Sequence, residues 1–550
     1  MIGEIEVKVM GETKKIPIGS TYQELSGEYV DLFKFPIIFA KVGNSYKELS
    51  ENVQNKEEVE FVDLKDFIAN KAYVNGLIHL ISYASERTFG PYSKIYVMHS
   101  IDKGLYITTN YELTSKRLDQ LKEKMMDLVE QNISITKCRV LREEAIEYYK
   151  NKKDFSKVNL LKYNTHRHVT LYKMGNNYDY FFGLMPSSTS VFKSFDLHYL
   201  NNKGFVLLFP TVYKDEIKPY EHHPMIFDMF SEYNKWAKIM KIGRVPDLNK
   251  FVSNGRADDI IRIEEVLQSN RLLMLARDIV MNRKETKVIL MAGPSSSGKT
   301  TTCKKFSMYL RAFGLEPREL SMDDYFFNRE NTPKDANGEY DFECLEAVDV
   351  KSFDKDVKDL ISGKGVKLPT FNFITGERVS GTEETFLGEN EVLIIEGIHA
   401  LSDKILTSID KKKKFRIYLA PLAVLTVDSH NRIPTTDIRL LRRIVRDNRT
   451  RGYNAENTLS MWRKVRLGEE KHIFPNQDSA DAIINTTMIY ELGVLKAYAE
   501  PLLFSVPSDS PNYKYATRLI NMLKPFLPIT SDAIPDDSIL REFIGGSCYK

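Results

Sequence analysis

Lys287-Val-Ile-Leu-Met-Ala292 followed by Gly293-Pro-Ser-Ser-Ser-Gly-Lys-Thr300 decides how this chain is read, because a short apolar run passes directly into a glycine-bounded polar loop. The run has the length of a buried strand, and Thr301 to Phe313 has the spacing of an amphipathic helix. Strand, loop and helix in that order are what a phosphate cradle requires. Glycines let backbone N–H groups turn inward onto phosphate oxygens, and the helix N-terminus adds a favourable dipole. Lys299 supplies a positive charge to the β- and γ-phosphates, Thr300 a hydroxyl for Mg²⁺, and Ser297 and Thr301 further hydrogen bonds. The nucleotide-contacting set is therefore Gly293, Ser295, Ser296, Ser297, Gly298, Lys299, Thr300 and Thr301, with ATP and Mg²⁺ as the expected cofactors.

A phosphate cradle implies nucleotide binding and leaves open what receives the phosphate. Pro317 to Ser321 reads as the next strand, and it runs into Met322-Asp-Asp-Tyr-Phe326. That places two carboxylates at the carboxyl end of a strand, the edge of a parallel sheet where ligands bind. Asp323 there can accept a proton from an attacking hydroxyl; a turn or helix cap is the plainer reading of the same residues. Glu391-Val-Leu-Ile-Ile-Glu396 is another buried-strand pattern ending in an acid, so Glu396 can help Thr300 hold Mg²⁺. Asp437 to Gly452 is helix-compatible and carries six arginines, with Arg439, Arg443 and Arg446 roughly one turn apart. Such a helix is expected to face anions as a mobile lid over the transferring phosphate. A solvated face or an RNA contact is the alternative.

Taken in order, GPSSSGKTT, SMDDYF, YDFECLEAVD, PTFNFITGER, IIEGIHAL and DIRLLRRIVRDNRTRG resemble the uridine kinase and phosphoribulokinase family over about Lys287 to Leu492. The resemblance implies an α/β fold, a P-loop parallel sheet with helices on both faces, and transfer of the ATP γ-phosphate to a ribose-type hydroxyl. Carried over by position, Asp323 is the catalytic base, and Lys299, the second catalytic residue, supplies charge to the phosphates. Glu343 grips the ribose hydroxyls, Arg443 and Arg446 meet substrate and phosphate, Arg451 is the lid arginine, and Phe371 stacks near a pyrimidine base. Gly376 and Met461 stand where the family has a base-reading histidine and a glutamine, which alters or loosens acceptor choice.

The N-terminal part reads differently. Ile5 to Val9 and Lys15 to Ile18 form a hairpin, and strands at Phe35 to Asn44 and Val59 to Asp63 complete a small β unit that resembles the TGS module of threonyl-tRNA synthetases. Asp66 to Tyr220 mixes strands near Lys94 to Met98 and Leu105 to Thr108 with a helix near Leu113 to Asn132. It resembles the editing-type second domain of those synthetases. The family's four ligand positions correspond to His79, Tyr83, Phe181 and Met185, so three of four cannot bind zinc, and editing is not expected. His166, His168, His222 and His223 lack acidic or cysteine companions at ligand spacing. We expect segments 1–64 (TGS-like β-grasp), 65–225 (synthetase-like α+β), 226–284 (helical connector) and 285–550 (kinase-like).

The length of 550 residues requires several cores, because single cores stop growing near roughly 250–300 residues. A net charge of +3, from 78 basic and 75 acidic residues, gives no general argument for nucleic acid or membrane. Lys411 to Lys414 reads as a solvated turn. Four scattered cysteines suggest neither zinc nor disulfides, and the absence of a leader-like N-terminus or of any run of about 18 apolar residues points to a soluble cytoplasmic protein. The expected activity is a nucleoside kinase acting on uridine or cytidine. The alternatives are an RNA- or ribosome-associated ATP-binding factor and a kinase for a sugar phosphate.

Overall fold

In the computed structural model, which describes residues 3–335, 338–372 and 375–549, the chain divides into two compact units. Unit 1 comprises residues 1–250, 424–434 and 506–527; unit 2 comprises 251–423, 435–505 and 528–550. The sequence reading placed 424–434 and 506–527 in the segment 285–550, whereas here they fold with unit 1. Phe373 and Ile374 of the PTFNFITGER stretch lie outside the described residues.

Unit 1 opens with the hairpin of β1 (Glu4–Val9) and β2 (Glu12–Pro17). Met10 and Gly11 take positive φ, 49° and 94°, the two-residue turn whose twist suits paired strands. β3 (Phe39–Val42), β4 (Ser45–Glu48) and β5 (Glu58–Val62) complete a sheet ordered β2-β1-β5-β3-β4. Val7, Val9, Val59 and Phe61 alternate inward to form its core. The long helix α1 (Phe67–Phe89) follows, its first N–H groups capped by the Asp66 side chain. Leu77, Leu80, Ile81 and Ala84 of α1 are fully buried in the unit's largest apolar cluster. β6 (Ile95–Ile101), β7 (Gly104–Thr109), β8 (Ile135–Leu141), β9 (His168–Met174), β10 (Asn177–Asp179), β11 (Asp196–Asn201) and β12 (Gly204–Leu208) form two antiparallel sheets, ordered β11-β12-β7-β6 and β10-β9-β8.

The 424–434 segment is a hairpin with a polar, buried tip. The Asp428 carboxylate accepts from the backbone N–H of His430 and Asn431 at 2.8 and 2.9 Å, and Asn431 donates to the Tyr180 carbonyl at 2.8 Å. The Val97 N–H donates to the Ser429 carbonyl at 2.8 Å. These bonds satisfy polar groups that burial would otherwise leave unpaired.

Unit 2 is built on a fully parallel sheet ordered β14-β17-β13-β18-β19. Its strands are β13 (Val288–Ala292), β14 (Glu316–Ser321), β17 (Glu391–Glu396), β18 (Lys414–Ala420) and β19 (Ala482–Asn485). A small hairpin of β15 (Thr370–Asn372) and β16 (Glu377–Val379) lies outside that sheet. Every residue of β13 is buried, as a central strand covered on both faces requires. Helices α2 (Ala257–Asn282) and α3 (Lys299–Ala312) supply Leu272, Ala276, Ile279, Cys303, Phe306 and Leu310 to the core with Ile289, Met291, Ile394 and Ile417. The arginine-rich stretch is α4 (Thr435–Thr450), which stops before Gly452, whose φ is 68°. It is followed by α5 (Ala455–Gly468).

Candidate active site

The loop between β13 and α3 has the backbone of an anion cradle. Ser296 and Gly298 both take positive φ, 59° and 83°, so successive N–H groups face one side. A Cβ on Gly293 would lie 2.6 Å from the Leu419 carbonyl oxygen and 2.7 Å from Ser297 Oγ, so the loop cannot close on any larger residue there. The buried Ser296 and Ser297 hydroxyls have no hydrogen-bond partner. Lys299 folds back over the loop, donating to the carbonyls of Gly293 and Pro294 at 3.1 and 3.4 Å. Unpaired hydroxyl donors, an ammonium folded over the loop and a helix N-terminus together fit a nucleotide polyphosphate.

Strand register brings the acids to the same edge. Ser321 and Met291 both pair with Glu396, so the ends of β14, β13 and β17 are level. Asp323 follows in a single turn, Met322–Tyr325, where Ser321 Oγ accepts from the Asp323 N–H at 3.3 Å. Gly397 permits close approach, since a Cβ there would meet Met322 Cβ at 2.7 Å. Thr300 Oγ1 donates to Glu396 Oε1 at 3.4 Å, a hydroxyl and a carboxylate side by side, the all-oxygen set that suits Mg²⁺.

Three carboxylates here are held above their ordinary range. Burial raises Asp323, against the pull of Lys299 and with the push of Asp324. Burial also raises Glu343, opposed by Arg443 and Lys299. Glu396 is pushed up to about 7 by burial, with Lys299 opposing and Asp323 and Glu542 reinforcing. Carboxylates crowded around one lysine mark a place where additional positive charge is favourable.

The arginine helix differs from the expectation. Arg439 and Arg442 are fully buried and do not face an open site. Arg439 pairs with Glu469 and donates to the Ser295 carbonyl at 2.9 Å. Arg442 pairs with Glu491 and reaches the carbonyls of Thr486 and Ser296 at 2.7 and 3.4 Å. Both brace the phosphate loop from beneath, because a buried guanidinium needs its full set of acceptors. Arg443, Arg446 and Arg451 instead converge on the buried Asp447, at 3.2, 2.7 and 3.7 Å, and Arg443 also donates to Ser295 Oγ at 3.0 Å. Asp447 was not singled out from the sequence, although its spacing of four from Arg443 was a readable signal.

Phe371 is buried, its N–H donating to Asp324 Oδ1 at 3.0 Å and its ring edge-on to Phe326 at 5.7 Å. Gly376 closes the β15–β16 turn with φ of 77°, and a Cβ there would meet the Arg329 side chain at 2.9 Å. A histidine at that place would be strained whatever it bound. Glu343 stands against α5, where a Cβ on Gly468 would be 2.5 Å from Glu343 Cβ. A further residue had no sequence signal at all: Glu542, whose Oε2 accepts from the Thr301 N–H at 3.4 Å.

In unit 1, His79, Tyr83, Phe181 and Met185 are buried. His79 Nε2 lies 3.1 Å from Asn177 Oδ1, while Tyr83, Phe181 and Met185 belong to the apolar core.

Residues 288–491 match the phosphoribulokinase / uridine kinase family. The uridine kinase of Staphylococcus aureus strain JH9 is 30% identical over 202 residues, spanning 36% of this chain and 88% of that protein. The uridine kinase of strain Newman gives the same values, 30% over 202 residues, 36% and 88%. Among solved structures, a Bacillus stearothermophilus protein named as a possible uridine kinase aligns at 19% identity over 39% of this chain and 98% of that one, with a TM-score of 0.26. The strand-loop-helix cradle and the level row of carboxylates thus fall inside the matched stretch, and this chain belongs to the phosphoribulokinase / uridine kinase family as an ATP-dependent P-loop kinase.

Proposed function

We propose that the acceptor is the 5′-hydroxyl of a nucleoside, uridine or cytidine first, and that Asp323 is the base. The observation that carries this reading is the convergence of Asp323, Glu343 and Glu396 around Lys299 at the carboxyl edge of the sheet. The loop N–H groups from Ser295 to Thr301 and the Lys299 ammonium hold the polyphosphate. Thr300 and Glu396 would hold Mg²⁺, which would supply positive charge to the phosphates. Asp323 takes the hydroxyl proton as the acceptor oxygen bonds to phosphorus and ADP departs; burial raises its basicity toward the working pH. Glu343 accepts from the neighbouring ribose hydroxyls and Phe371 offers an apolar wall to the base. Arg443, Arg446 and Arg451, gathered by Asp447, stabilise the charge spread over the transferring group.

Gly376 and Met461 leave the base edge without its polar readers, so discrimination among nucleosides is weak by this reading. The N-terminal segments 1–64 and 65–225 are read with it as TGS-like and synthetase-like parts without editing chemistry. All four cysteines are free, in keeping with a reducing cytoplasm, and no helix among the described residues is long and apolar enough to cross a membrane.

The test is ADP production by the purified protein against a panel of nucleosides, ribose phosphates and ribulose phosphates. Stimulation by uridine or cytidine is the expected result, abolished by Asp323→Asn. Stimulation by a sugar phosphate alone would move the acceptor, and none by any hydroxyl compound would overturn the reading.

A further inference from the structure

Beyond the stretch matched by the family, residues 528–549 belong to unit 2, and Ile539 and Glu542 there reach the phosphate loop and the start of its helix. Ser538 to Gly545 is firmly anchored there. Leu540 and Phe543 are fully buried, and Ser538 donates to Glu265 at 2.5 Å. Arg541 reaches the carbonyls of Ser531 and Ile534 at 2.9 and 2.6 Å. The arginine helix grips the segment as well: Arg442 lies over the Phe543 ring at 4.8 Å, and Arg449 donates to the carbonyls of Glu542 and Phe543 at 2.8 and 3.2 Å. A Cβ on Gly298 would lie 2.5 Å from Ile539 Cγ2, so the segment touches the loop itself.

This packing fixes the backbone of Glu542 and aims its carboxylate at the first turn of α3. The Thr301 N–H is among the donors that a helix N-terminus leaves without an intrahelical partner, and Glu542 Oε2 takes it at 3.4 Å. The carboxylate is thus where the dipole and the free N–H groups favour an anion. It also adds to the negative field at Glu396. A polyphosphate arriving at the loop needs the same N–H and meets a like charge beside it.

We propose that Glu542 is a built-in competitor at the phosphate cradle: its carboxylate holds the Thr301 N–H in place of a nucleotide phosphate oxygen and must swing aside before the nucleotide seats. The segment 538–545 is then an autoinhibitory device that raises the nucleotide concentration at which the loop fills. The proposal rests on the nucleotide-binding reading of the loop and concerns its regulation.

Equilibrium binding of ADP to the full chain, without any acceptor, tests it. Glu542→Gln keeps the shape and removes the charge, and is expected to bind ADP about 3- to 30-fold more tightly than the parent. Glu542→Asp, with its carboxylate drawn back, is expected to fall between the two. The gap between parent and Glu542→Gln should narrow as salt rises from 0.05 to about 0.5 M, because it is a charge effect at a partly open site. A purely structural role would leave that salt dependence flat. Equal affinity in parent and Glu542→Gln overturns the proposal. So does weaker binding by the variant, which would make Glu542 a reader of nucleotide hydroxyls. Failure of both proteins to bind ADP would instead overturn the nucleotide reading of the loop, and the competitor with it.

Discussion

Each unit buries a cluster of charge, and the two clusters are electrostatic opposites. In unit 1, Lys157 pairs with Asp179, and His430 Nδ1 lies 2.6 Å from the other Asp179 oxygen. Burial alone would raise Asp179, yet His430 and Lys157 outweigh it and hold the carboxyl below its ordinary range. Asp154 behaves the same way. Lys157 loses favour through burial but is held charged by Asp179, Asp428 and Asp154. In unit 2, Asp323, Glu343 and Glu396 are all raised, and two serine hydroxyls of the neighbouring loop have no partner. The first cluster balances its charges within the protein, although the buried Tyr149 hydroxyl beside it has no partner. The second lacks positive charge and hydrogen-bond acceptors that a metal-bound nucleotide would bring. Buried charge therefore marks a functional site only when the protein leaves it unbalanced.

That contrast can be broken at three places. The largest expected effect is at Asp323: Asp323→Asn should lower acceptor-dependent ADP production by about 10²- to 10⁴-fold, with ADP binding within about threefold of the parent. A parallel collapse of binding would show that Asp323 belongs to a closed structural cluster after all. Next, Lys157→Met strands Asp179 in the interior and should cost about 3–5 kcal/mol by urea denaturation, while ADP affinity of the folded protein is unchanged. Replacing both partners with apolar residues of similar volume should recover most of that loss. A shift in ADP affinity would show that the unit 1 cluster is more than structural.

The smallest effect comes from a control. Glu264 is buried in α2, its Oε2 has no partner, and burial, opposed by Arg271 and reinforced by Glu265, pushes it up to about 8 from 4.5. A carboxyl raised in the folded state contributes stability below its unfolded value that is lost as pH rises through the folded one. The parent should therefore lose stability between about pH 4.5 and 8 relative to Glu264→Gln, which should be more stable by roughly 1–3 kcal/mol at pH 9. Thermal denaturation across pH measures this. With ADP binding unaffected, it would show that a raised carboxylate needs a neighbouring cradle before it signals a ligand.

How much was legible follows from distance along the chain. The cradle was readable because strand, loop and helix are contiguous, Glu396 because it ends the apolar run Val392 to Ile395, and Asp323 because it directly follows the strand after the cradle helix. The helix over 435–450 was readable, but the orientation of its arginines was not. Arg439 and Arg442 find their carboxylates 30 and 49 residues away, at Glu469 and Glu491, and no local periodicity encodes that. Glu542 reaches a donor 241 residues distant. β18 was obscured by the run Lys411 to Lys414, whose first three residues form an exposed turn and whose last begins the strand. The family resemblance offered expected roles for Glu343, Arg443 and Phe371 by position, but nothing in it announced a hairpin at 424–434.

The hairpin has a consequence for biosynthesis. Unit 1 takes residues 424–434 and 506–527 from far downstream of residue 250, so it cannot be finished as the ribosome delivers the first 250 residues. At roughly 5–20 residues per second, the pocket for the Asp428–Asn431 tip stays vacant on the nascent chain for about ten seconds or more, and the last piece follows later still. During that wait Lys157 and Asp179 lack His430, and the Tyr180 carbonyl lacks Asn431. Translation pauses before residue 434, or chaperones that shield the N-terminal sheets, would thus govern yield, and neither unit can be excised as one uninterrupted stretch of gene.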